Sequence, residues 1–278
     1  MLQTFNDISH ACSRLTTERY STSFSKAIRV LHSDLRSPVY SIYGFVRFAD
    51  EIVDTFHDFD KTQLLGLFKE EAYRALETGI SLNPILNSFQ LTVNKYGIGK
   101  ELIDSFFYSM EMDISNRQYD HAGYGSYIYG SAETVGLMCL AIFCEGDKGI
   151  YQKLQPFAQS LGAAFQKINF LRDIRADHEL LNRTYFPGVD FRNFSETDKR
   201  AIEADITADL EKAYTGILQL PLKARFGVYL AYKYYLSLFK KICRSRPALL
   251  LQNRVRVNNT AKAFIFVRAG FRNSINIL

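Results

Sequence analysis

The sequence predicts an all-α protein that folds as a helical bundle, and three observations carry this prediction. Apolar residues recur at spacings of three and four along most of the chain, which is the period of an amphipathic helix. Most of the six prolines fall between these periodic stretches. The chain has no strand-rich half, no repeat at a fixed period and no linker rich in glycine, serine or proline.

The periodic stretches define the predicted elements in chain order. They predict helices over residues 3–17, 21–31, 34–57, 60–78, 83–95, 99–118, 123–145, 150–178, 195–217 and 221–245. A shorter helix is predicted after Asn258, close to the end of the chain.

Length and composition predict a single folding unit. A chain of 278 residues is long enough to bury a large core, and one core can still serve all of it. With 47% hydrophobic, 14% aromatic and 23% charged residues, the composition is that of a globular protein and argues against long disordered segments. We therefore predict one domain over residues 1–278.

Charge and cysteine content favour some classes of protein over others. The net charge of +5 suits an anionic ligand, but no cluster of Lys and Arg interleaved with aromatic residues indicates nucleic acid. The four cysteines form no CxxC pair, and the N-terminus lacks the pattern of a signal peptide. No stretch offers 18 uninterrupted apolar residues. We expect a cytoplasmic protein that contacts membranes at most at its periphery.

The first acidic pair lies in the segment RFADEIVD at residues 47–54. Asp50 and Asp54 are four residues apart, so they share one helix face, where two like charges cost a few tenths of a kcal/mol. Arg47 lies on the same face, and apolar neighbours keep the pair at the edge of a buried stripe. Mg²⁺ would offset the repulsion, because it binds carboxylate oxygens and completes its shell with water and phosphate oxygens.

The second acidic pair lies in QKINFLRDIRAD at residues 166–177. Asp173 and Asp177 have the same spacing, and Gln166 and Asn169 extend the polar line at steps of three and four. Taken alone, either pair could be a chance pair on a solvated face. Two polar lines on mostly apolar helices instead indicate a metal site between facing helices of the bundle.

The loop LLNRTYFPGVDF follows the second pair and has the position of a lid. If the helix ends near Glu179, then Asn182, Arg183, Tyr185 and Pro187 would cap the pocket. A solvated surface arginine is the alternative interpretation of Arg183.

These segments resemble the motifs of the phytoene/squalene synthase family of trans head-to-head prenyltransferases, in the same order and over most of the chain. The family has an HSKSF-like turn, an arginine-preceded DxxxD helix, a YCYGVAGxVG helix, a QxxNxxRDxxxD helix and an RxYxP loop. The corresponding segments here are YSTSF at 20–24, RFADEIVD at 47–54, YIYGSAETVG at 127–136, QKINFLRDIRAD at 166–177 and RTYFP at 183–187.

The resemblance implies a fold of the isoprenoid synthase type with a central apolar cavity, and it assigns roles to residues. Two or three Mg²⁺ ions would bridge the substrate diphosphates, held by Asp50, Asp54, Asn169, Asp173 and Asp177. Substrate would be bound by Ser21, Arg47, Tyr129, Gln166, Asn169, Arg172, Arg183 and Tyr185. The catalytic set would comprise Asp50, Asp54, Asp173, Asp177, Tyr129 and Arg47.

Other residues near these motifs are weaker candidates. Phe24, Tyr43 and Phe45 could face a carbocation, although ordinary core packing explains them as well. Asp113, in MEMD at 110–113, is a further candidate for the pocket. Two positions depart from the family pattern: Tyr20 stands where many members have His, and Glu133 stands where a small glycine is usual. We expect the first to alter a diphosphate contact and the second to alter the pocket near Tyr129.

The predicted reaction is a Mg²⁺-dependent condensation of two geranylgeranyl diphosphates to phytoene, in carotenoid biosynthesis. It would pass through a cyclopropylcarbinyl (prephytoene) diphosphate and release diphosphate at each stage, without NADPH. A squalene or dehydrosqualene synthase that uses farnesyl diphosphate is the alternative. A terpene cyclase and a non-catalytic relative are more distant alternatives. A non-catalytic scaffold has no use for two lines of inward carboxylates.

A cluster of basic residues near the end of the chain bears on membrane contact. It comprises Arg254, Arg256, Lys262, Arg268 and Arg272. Such residues could touch an anionic bilayer where apolar products leave, although solvated surface charge is the simpler explanation.

Overall fold

A computed structural model of the chain describes residues 1–115, 119–179 and 183–274, without the side chains of 176–179, 192 and 274. The described ranges hold helices and no strand, which confirms the predicted all-α bundle. The helices are α1 (Leu2–Tyr20), α2 (Thr22–Arg29), α3 (Ser33–Asp54), α4 (Lys61–Thr78), α5 (Pro84–Tyr96), α6 (Lys100–Ser115), α7 (His121–Ile128), α8 (Thr134–Cys144), α9 (Lys148–Glu179), α10 (Glu196–Ile217), α11 (Leu222–Cys243), α12 (Pro247–Gln252) and α13 (Asn259–Ser274).

Local sequence explains where several helices begin and end. The Ser21 hydroxyl accepts a hydrogen bond from the Phe24 amide at 3.1 Å and so begins α2. Ser195 and Asp198 form a reciprocal capping box at the start of α10. Gly79 ends α4 in the left-handed region, at φ 72°, a conformation that glycine adopts without strain.

The stretch predicted as one helix over 123–145 is divided by a π-helical turn, Tyr129–Glu133, between α7 and α8. Glycines let neighbouring helices approach this turn closely. A Cβ atom added to Gly162 of α9 would lie 2.6 Å from the carbonyl oxygen of Ala132. A Cβ atom on Gly130 would collide with Ser105 and Ser109 of α6. The turn is therefore held between α6 and α9.

The buried apolar side chains form one continuous cluster that runs from α2 to α13. Phe45 of α3 is fully buried at its centre and stacks on Phe89 of α5, with ring centroids 3.8 Å apart. α9 packs against α8 and α10, while α3 packs against α1 and α5. The two helices that carry the acidic pairs are thus central to the bundle.

The continuous helical stretch His121–Cys144 is long and apolar enough to cross a membrane by length and composition alone. Fifty-six per cent of its most apolar 18-residue window is buried inside the bundle, and buried core helices of soluble proteins pass the same test.

Candidate active site

A cavity of about 480 Å³ lies between α2, α3, α8, α9 and α11. Its walls change from apolar to polar along α3 and along α9. On α3 the lining runs from Val39 and Ile42 to Asp50, and on α9 it runs from Leu154 to Asn169. The polar side chains therefore gather at one end, the cavity mouth, which is lined by Tyr20, Ser21, Tyr43, Arg47, Asp50, Gln166, Asn169, Arg172, Tyr235 and Arg254.

The first acidic pair lies in the last turns of α3. Asp50 lines the cavity, and burial, followed by the charges of Asp54 and Asp113, raises its pKa to about 7. Arg47 opposes this rise. The C-terminal end of a helix also carries partial negative charge, so a carboxylate is disfavoured there unless a cation lies nearby.

Arg183 is a cation that binds the C-terminal end of α3. Its side chain is only 3% exposed, its Nη1 donates to Asp54 Oδ1 at 2.8 Å, and its Nη2 donates to the Val53 carbonyl oxygen at 3.2 Å. Burial acts to lower the pKa of Arg183, but Asp113, Tyr185 and Asp54 outweigh burial and raise it. The alternative interpretation of Arg183 as a solvated surface arginine is wrong, because its side chain is buried and binds Asp54.

Asp113 of α6 completes this network in the interior. Its carboxylate accepts hydrogen bonds from the hydroxyls of Tyr127 at 2.7 Å, Tyr185 at 3.2 Å and Tyr119 at 3.3 Å, and it lies 3.7 Å from Arg183 Nη1. Burial raises the pKa of Asp113 to about 6, although Arg183 opposes the rise. Asp113, a weaker candidate in the sequence, is thus the centre of a buried network that joins Tyr127 of the cavity wall to Arg183.

The described residues of the loop after α9 lie outside the cavity lining. Arg183 and Tyr185 are absent from the cavity lining, and Tyr185 stacks on Phe170 of α9 with centroids 3.9 Å apart. Pro187 is also absent from the lining, and Asn182 lies outside the described residues. Arg183 and Tyr185 contact the carboxylates of Asp54 and Asp113, and their role in substrate binding stays a prediction.

The second polar line reaches the cavity from α9. Gln166, Asn169 and Arg172 line it, and the Tyr235 hydroxyl donates to Asn169 Oδ1 at 3.3 Å. Asp173 follows on the same helix, where Arg172 Nε donates to its Oδ1 at 3.0 Å. Arg254, from the segment between α12 and α13, forms a second ion pair with Asp173 at 2.6 Å. The side chain of Asp177 is not among those that the structure describes.

Arg47 and the residues around it form the opposite rim. Its guanidinium lies over the ring of Tyr20, 4.3 Å from the centroid, and it pairs with Glu51. Its Nε is buried with no hydrogen-bond partner among the described residues. Tyr20, where many family members have His, therefore supports a cation by cation–π contact. Ser21 also lines the cavity.

The tyrosine that lines the cavity is Tyr127, whereas the predicted Tyr129 is not among the lining residues. Tyr127 is 3% exposed and lines the cavity with Ser131 and Val135, at steps of four residues along one face. Tyr129 is absent from the lining, because two residues along a helix correspond to a rotation of about 200°. The stripe 127, 131, 135 was the sequence signal that could have identified Tyr127.

Glu133 also faces away from the cavity. It lines a separate pocket with Tyr124 and Lys167, and Gln159 donates to its carboxylate at 2.9 Å. The expectation that Glu133 reshapes the substrate pocket is therefore wrong, because the π-helical turn places it on the outer side.

The three candidate aromatic residues have different positions. Phe24 and Tyr43 line the cavity, with ring centroids 5.9 Å apart, whereas Phe45 lies in the core. Burial raises the pKa of Tyr43 to about 12, so its hydroxyl stays protonated near neutral pH. Tyr235, which belongs to no motif of the predicted site, stacks on Phe165 with ring centroids 3.8 Å apart and lines the mouth.

The oxygen atoms at the cavity mouth are suitable ligands for a hard cation. In the described residues no three His, Cys, Asp or Glu side chains already surround a common point. Asp50 nevertheless has its pKa raised by burial and by two neighbouring carboxylates, and amide oxygens of Gln166 and Asn169 line the same mouth. Carboxylate and amide oxygens are the ligands that Mg²⁺ prefers, so these residues fit that ion.

This chain is an all-helical bundle with an apolar cavity and a mouth of carboxylates, amides and arginines. That arrangement is typical of prenyl synthase-like folds. The model of the squalene/phytoene synthase family matches residues 17–261. The chain belongs to the squalene/phytoene synthase family, which confirms the resemblance seen in the sequence.

Individual relatives carry several different names. A presqualene diphosphate synthase from Rhodopseudomonas palustris is 30% identical over 192 residues, which cover 66% of this chain and 65% of that protein. A phytoene synthase from Cereibacter sphaeroides is 25% identical over 250 residues, covering 81% and 69%. The first of these matches thus spans slightly less than two thirds of its relative's length.

Solved structures share the fold. A dehydrosqualene synthase in complex with a ligand superposes with a TM-score of 0.83 at 18% identity, covering 97% of this chain and 98% of that one. A squalene synthase from Alicyclobacillus acidocaldarius superposes with a TM-score of 0.72 at 21% identity, covering 85% and 93%. These likenesses confirm the isoprenoid synthase architecture.

Proposed function

We propose that the protein condenses two allylic prenyl diphosphates head to head, in a Mg²⁺-dependent reaction, through a cyclopropylcarbinyl diphosphate. The observation that supports this most is the cavity between α3 and α9, because both helices change from apolar to polar toward the same mouth. A prenyl diphosphate has the same division, with an anionic head and an apolar tail.

The mouth would bind and orient the diphosphate heads. Arg47 and Arg172 line it and carry the positive charge that phosphate oxygens require. The carboxylates and amide that would hold Mg²⁺ are Asp50, Asp54, Asn169, Asp173 and Asp177. Bound Mg²⁺ would stabilise the negative charge that gathers on the leaving diphosphate.

The apolar part of the cavity would hold the tails and exclude water. When the C1–O bond breaks, its electron pair leaves with diphosphate and an allylic cation remains, which water would quench. Attack by the C2–C3 double bond of the second substrate and loss of one proton would close the cyclopropane. Phe24, Tyr43 and Tyr235 line the cavity and would present aromatic faces to positive charge.

For the chain length we propose two C20 substrates and phytoene as product, within carotenoid biosynthesis. The similarity to a phytoene synthase over 81% of the chain supports this choice. The 30% identity to a presqualene diphosphate synthase favours C15 substrates and a squalene-type or dehydrosqualene-type product as the second candidate.

Product analysis tests both parts of the proposal. Purified protein would be incubated with Mg²⁺ and either C15 or C20 diphosphate, with and without NADPH, and the hydrocarbons separated by chromatography. A C40 product formed without NADPH supports phytoene synthesis, whereas exclusive C30 product would overturn it. Absence of any coupled product with every substrate would overturn the reaction class, and the double variant D50N/D173N supplies the background.

A further inference from the structure

A second groove, of about 580 Å³, lies between α11 and α13, on the outside of the bundle. Both helices and the segments that flank them contribute cationic side chains, and no carboxylate is present among the described lining residues. The walls carry Lys240, Lys241, Arg244, Arg256, Arg268 and Arg272. We refer to this surface as the basic groove.

The floor of the basic groove contains a tyrosine hydroxyl that finds no acceptor among the described residues. Tyr229 is 1% exposed, and its hydroxyl has no hydrogen-bond partner in the part of the chain that is described. A buried hydroxyl without a partner is costly. Lys233 Nζ lies 5.1 Å from the centroid of the Tyr229 ring, and burial, then Arg272 and Lys240, lower its pKa. An anion in the groove would relieve both features.

An exposed apolar stripe borders the basic groove on α13. Phe264, Val267 and Phe271 are exposed by 68%, 68% and 65%, and their spacing of three and four places them on one face. Arg268 and Arg272 lie next to this face around the helix and line the groove. Aromatic residues beside arginines on a surface helix are typical of contact with the interfacial region of a bilayer.

α11 stands between the basic groove and the substrate cavity. Val228, Ala231 and Tyr235 line the cavity from one face of this helix. Tyr229 and Lys233 line the groove from the other face. Because a helix with its side chains is about 10 Å across, a ligand in the groove would lie one helix away from the apolar cavity.

We propose that the basic groove and the stripe of Phe264, Val267 and Phe271 dock the protein on a bilayer that contains anionic phospholipid. The lipid phosphate enters the groove, and the apolar stripe enters the boundary between headgroups and acyl chains. Charge complementarity selects this occupant: a second copy would present the same cations and be repelled, and the backbone of a nucleic acid offers no partner for the stripe. Delivery of an apolar product to that bilayer rests on the proposed function, whereas lipid binding does not.

Vesicle sedimentation of the full chain tests the docking. The vesicles are phosphatidylcholine alone and phosphatidylcholine mixed with phosphatidylglycerol, and sedimentation is measured at low and moderate salt. We expect binding to the anionic vesicles only, with a decrease at moderate salt. The variant K240Q/R268Q should bind roughly tenfold less tightly or weaker. The variant F264S/F271S should also lose binding while keeping its charge.

A matched control separates the groove from net charge. K148Q/K153Q removes the same number of charges from exposed positions of α9 that do not line the groove. Retained binding in this control supports the proposal, whereas an equal loss in both charge variants overturns it, as does an absence of binding to anionic vesicles. Thermal melting of each variant checks that it is folded.

Two further measurements address other occupants. Displacement from vesicles by inorganic diphosphate, with unaltered binding by F264S/F271S, would assign the groove to a free anion and overturn the bilayer. A concentration-dependent dimer in sedimentation velocity that K240Q/R268Q abolishes would assign it to a second copy. None of these assays uses the prenyl substrates, so their outcome is independent of the proposed reaction.

Discussion

Arg254 and Asp173 form an ion pair, with Nε and Oδ1 2.6 Å apart, although 81 residues separate them in sequence. A second contact joins Arg254 Nη2 and Asp173 Oδ2 at 3.2 Å. Arg172 binds the same carboxylate from its own helix. Asp173 is therefore neutralised by two guanidinium groups, and a divalent cation that uses this carboxylate must compete with them.

Removing Arg254 should therefore strengthen cation binding in the absence of substrate. The Arg254 side chain is 51% exposed, and an ion pair of this kind contributes about 0–1 kcal/mol, so we expect R254Q to bind Mn²⁺ up to about fivefold more tightly. Calorimetric titration with Mn²⁺ measures the change. R256Q, two residues away and outside the cavity lining, controls for net charge. Equal tightening in both variants would contradict a direct competition.

Replacing Asp50 by Asn should separate activity from stability. The substitution removes a charge that burial, Asp54 and Asp113 disfavour, so the free energy of unfolding at pH 8 should stay equal or rise. Mg²⁺-dependent turnover should fall by roughly 10²–10³-fold, because a carboxylate at the mouth is lost. Steady-state kinetics and urea unfolding give the two readouts. D58N, at an exposed position after α3, should change neither, and normal turnover of D50N would refute the role given to Asp50.

Stability should depend on pH through Asp50. Its pKa is about 7 in the folded chain against 3.8 for the ordinary group, so between these values the folded state holds a proton that the unfolded state has released. Stability therefore decreases as pH rises from about 4 to about 7 and levels off above that. Urea unfolding across this range, with D50N subtracted, isolates the contribution of Asp50. A difference that is flat or grows in the opposite direction would show that Asp50 ionises normally.

Arg183 should be a strong determinant of stability. Its removal leaves the buried Asp113 carboxylate without its nearest cation, and the loss of one partner from a buried pair typically costs about 3–5 kcal/mol. We expect R183M to lose that amount and R183M/D113N to recover part of it, as measured by urea unfolding. R200M, at a side chain that is 76% exposed, should remain within about 0.5 kcal/mol of the parent chain. Similar small effects of R183M and R200M would argue against the network.

The π-helical turn should be sensitive to the side chain at residue 162. In G162A the new methyl group would press on the backbone of Ala132, and such overpacking typically costs about 1–3 kcal/mol. In G66A, on an open face of α4 with nothing within 4 Å, the same change should stabilise by up to about 1 kcal/mol. Thermal melting distinguishes the two signs. Stabilisation of both variants would show that α9 does not pack tightly on the turn.

The sequence by itself determined the helices and the two acidic lines. Spacings of three and four are local, so they predicted α3 and α9 to within a few residues and placed Asp50 beside Asp54 on one face. The same local rule placed Gln166 and Asn169 together, and both line the cavity. Spacing also placed Arg47 on the face of Asp50, and the family resemblance added Ser21; both residues line the cavity.

Only the tertiary structure decided which neighbours those lines meet. Arg183 lies beneath Asp54, and Arg254 reaches Asp173, because loops and terminal segments return across the bundle over distances that periodicity cannot express. The choice of Tyr127 over Tyr129 depended on the rotation of the helix around the π-helical turn, and that rotation is fixed by packing against α6 and α9. Local periodicity sets which residues share a face, whereas long-range packing sets what that face contacts.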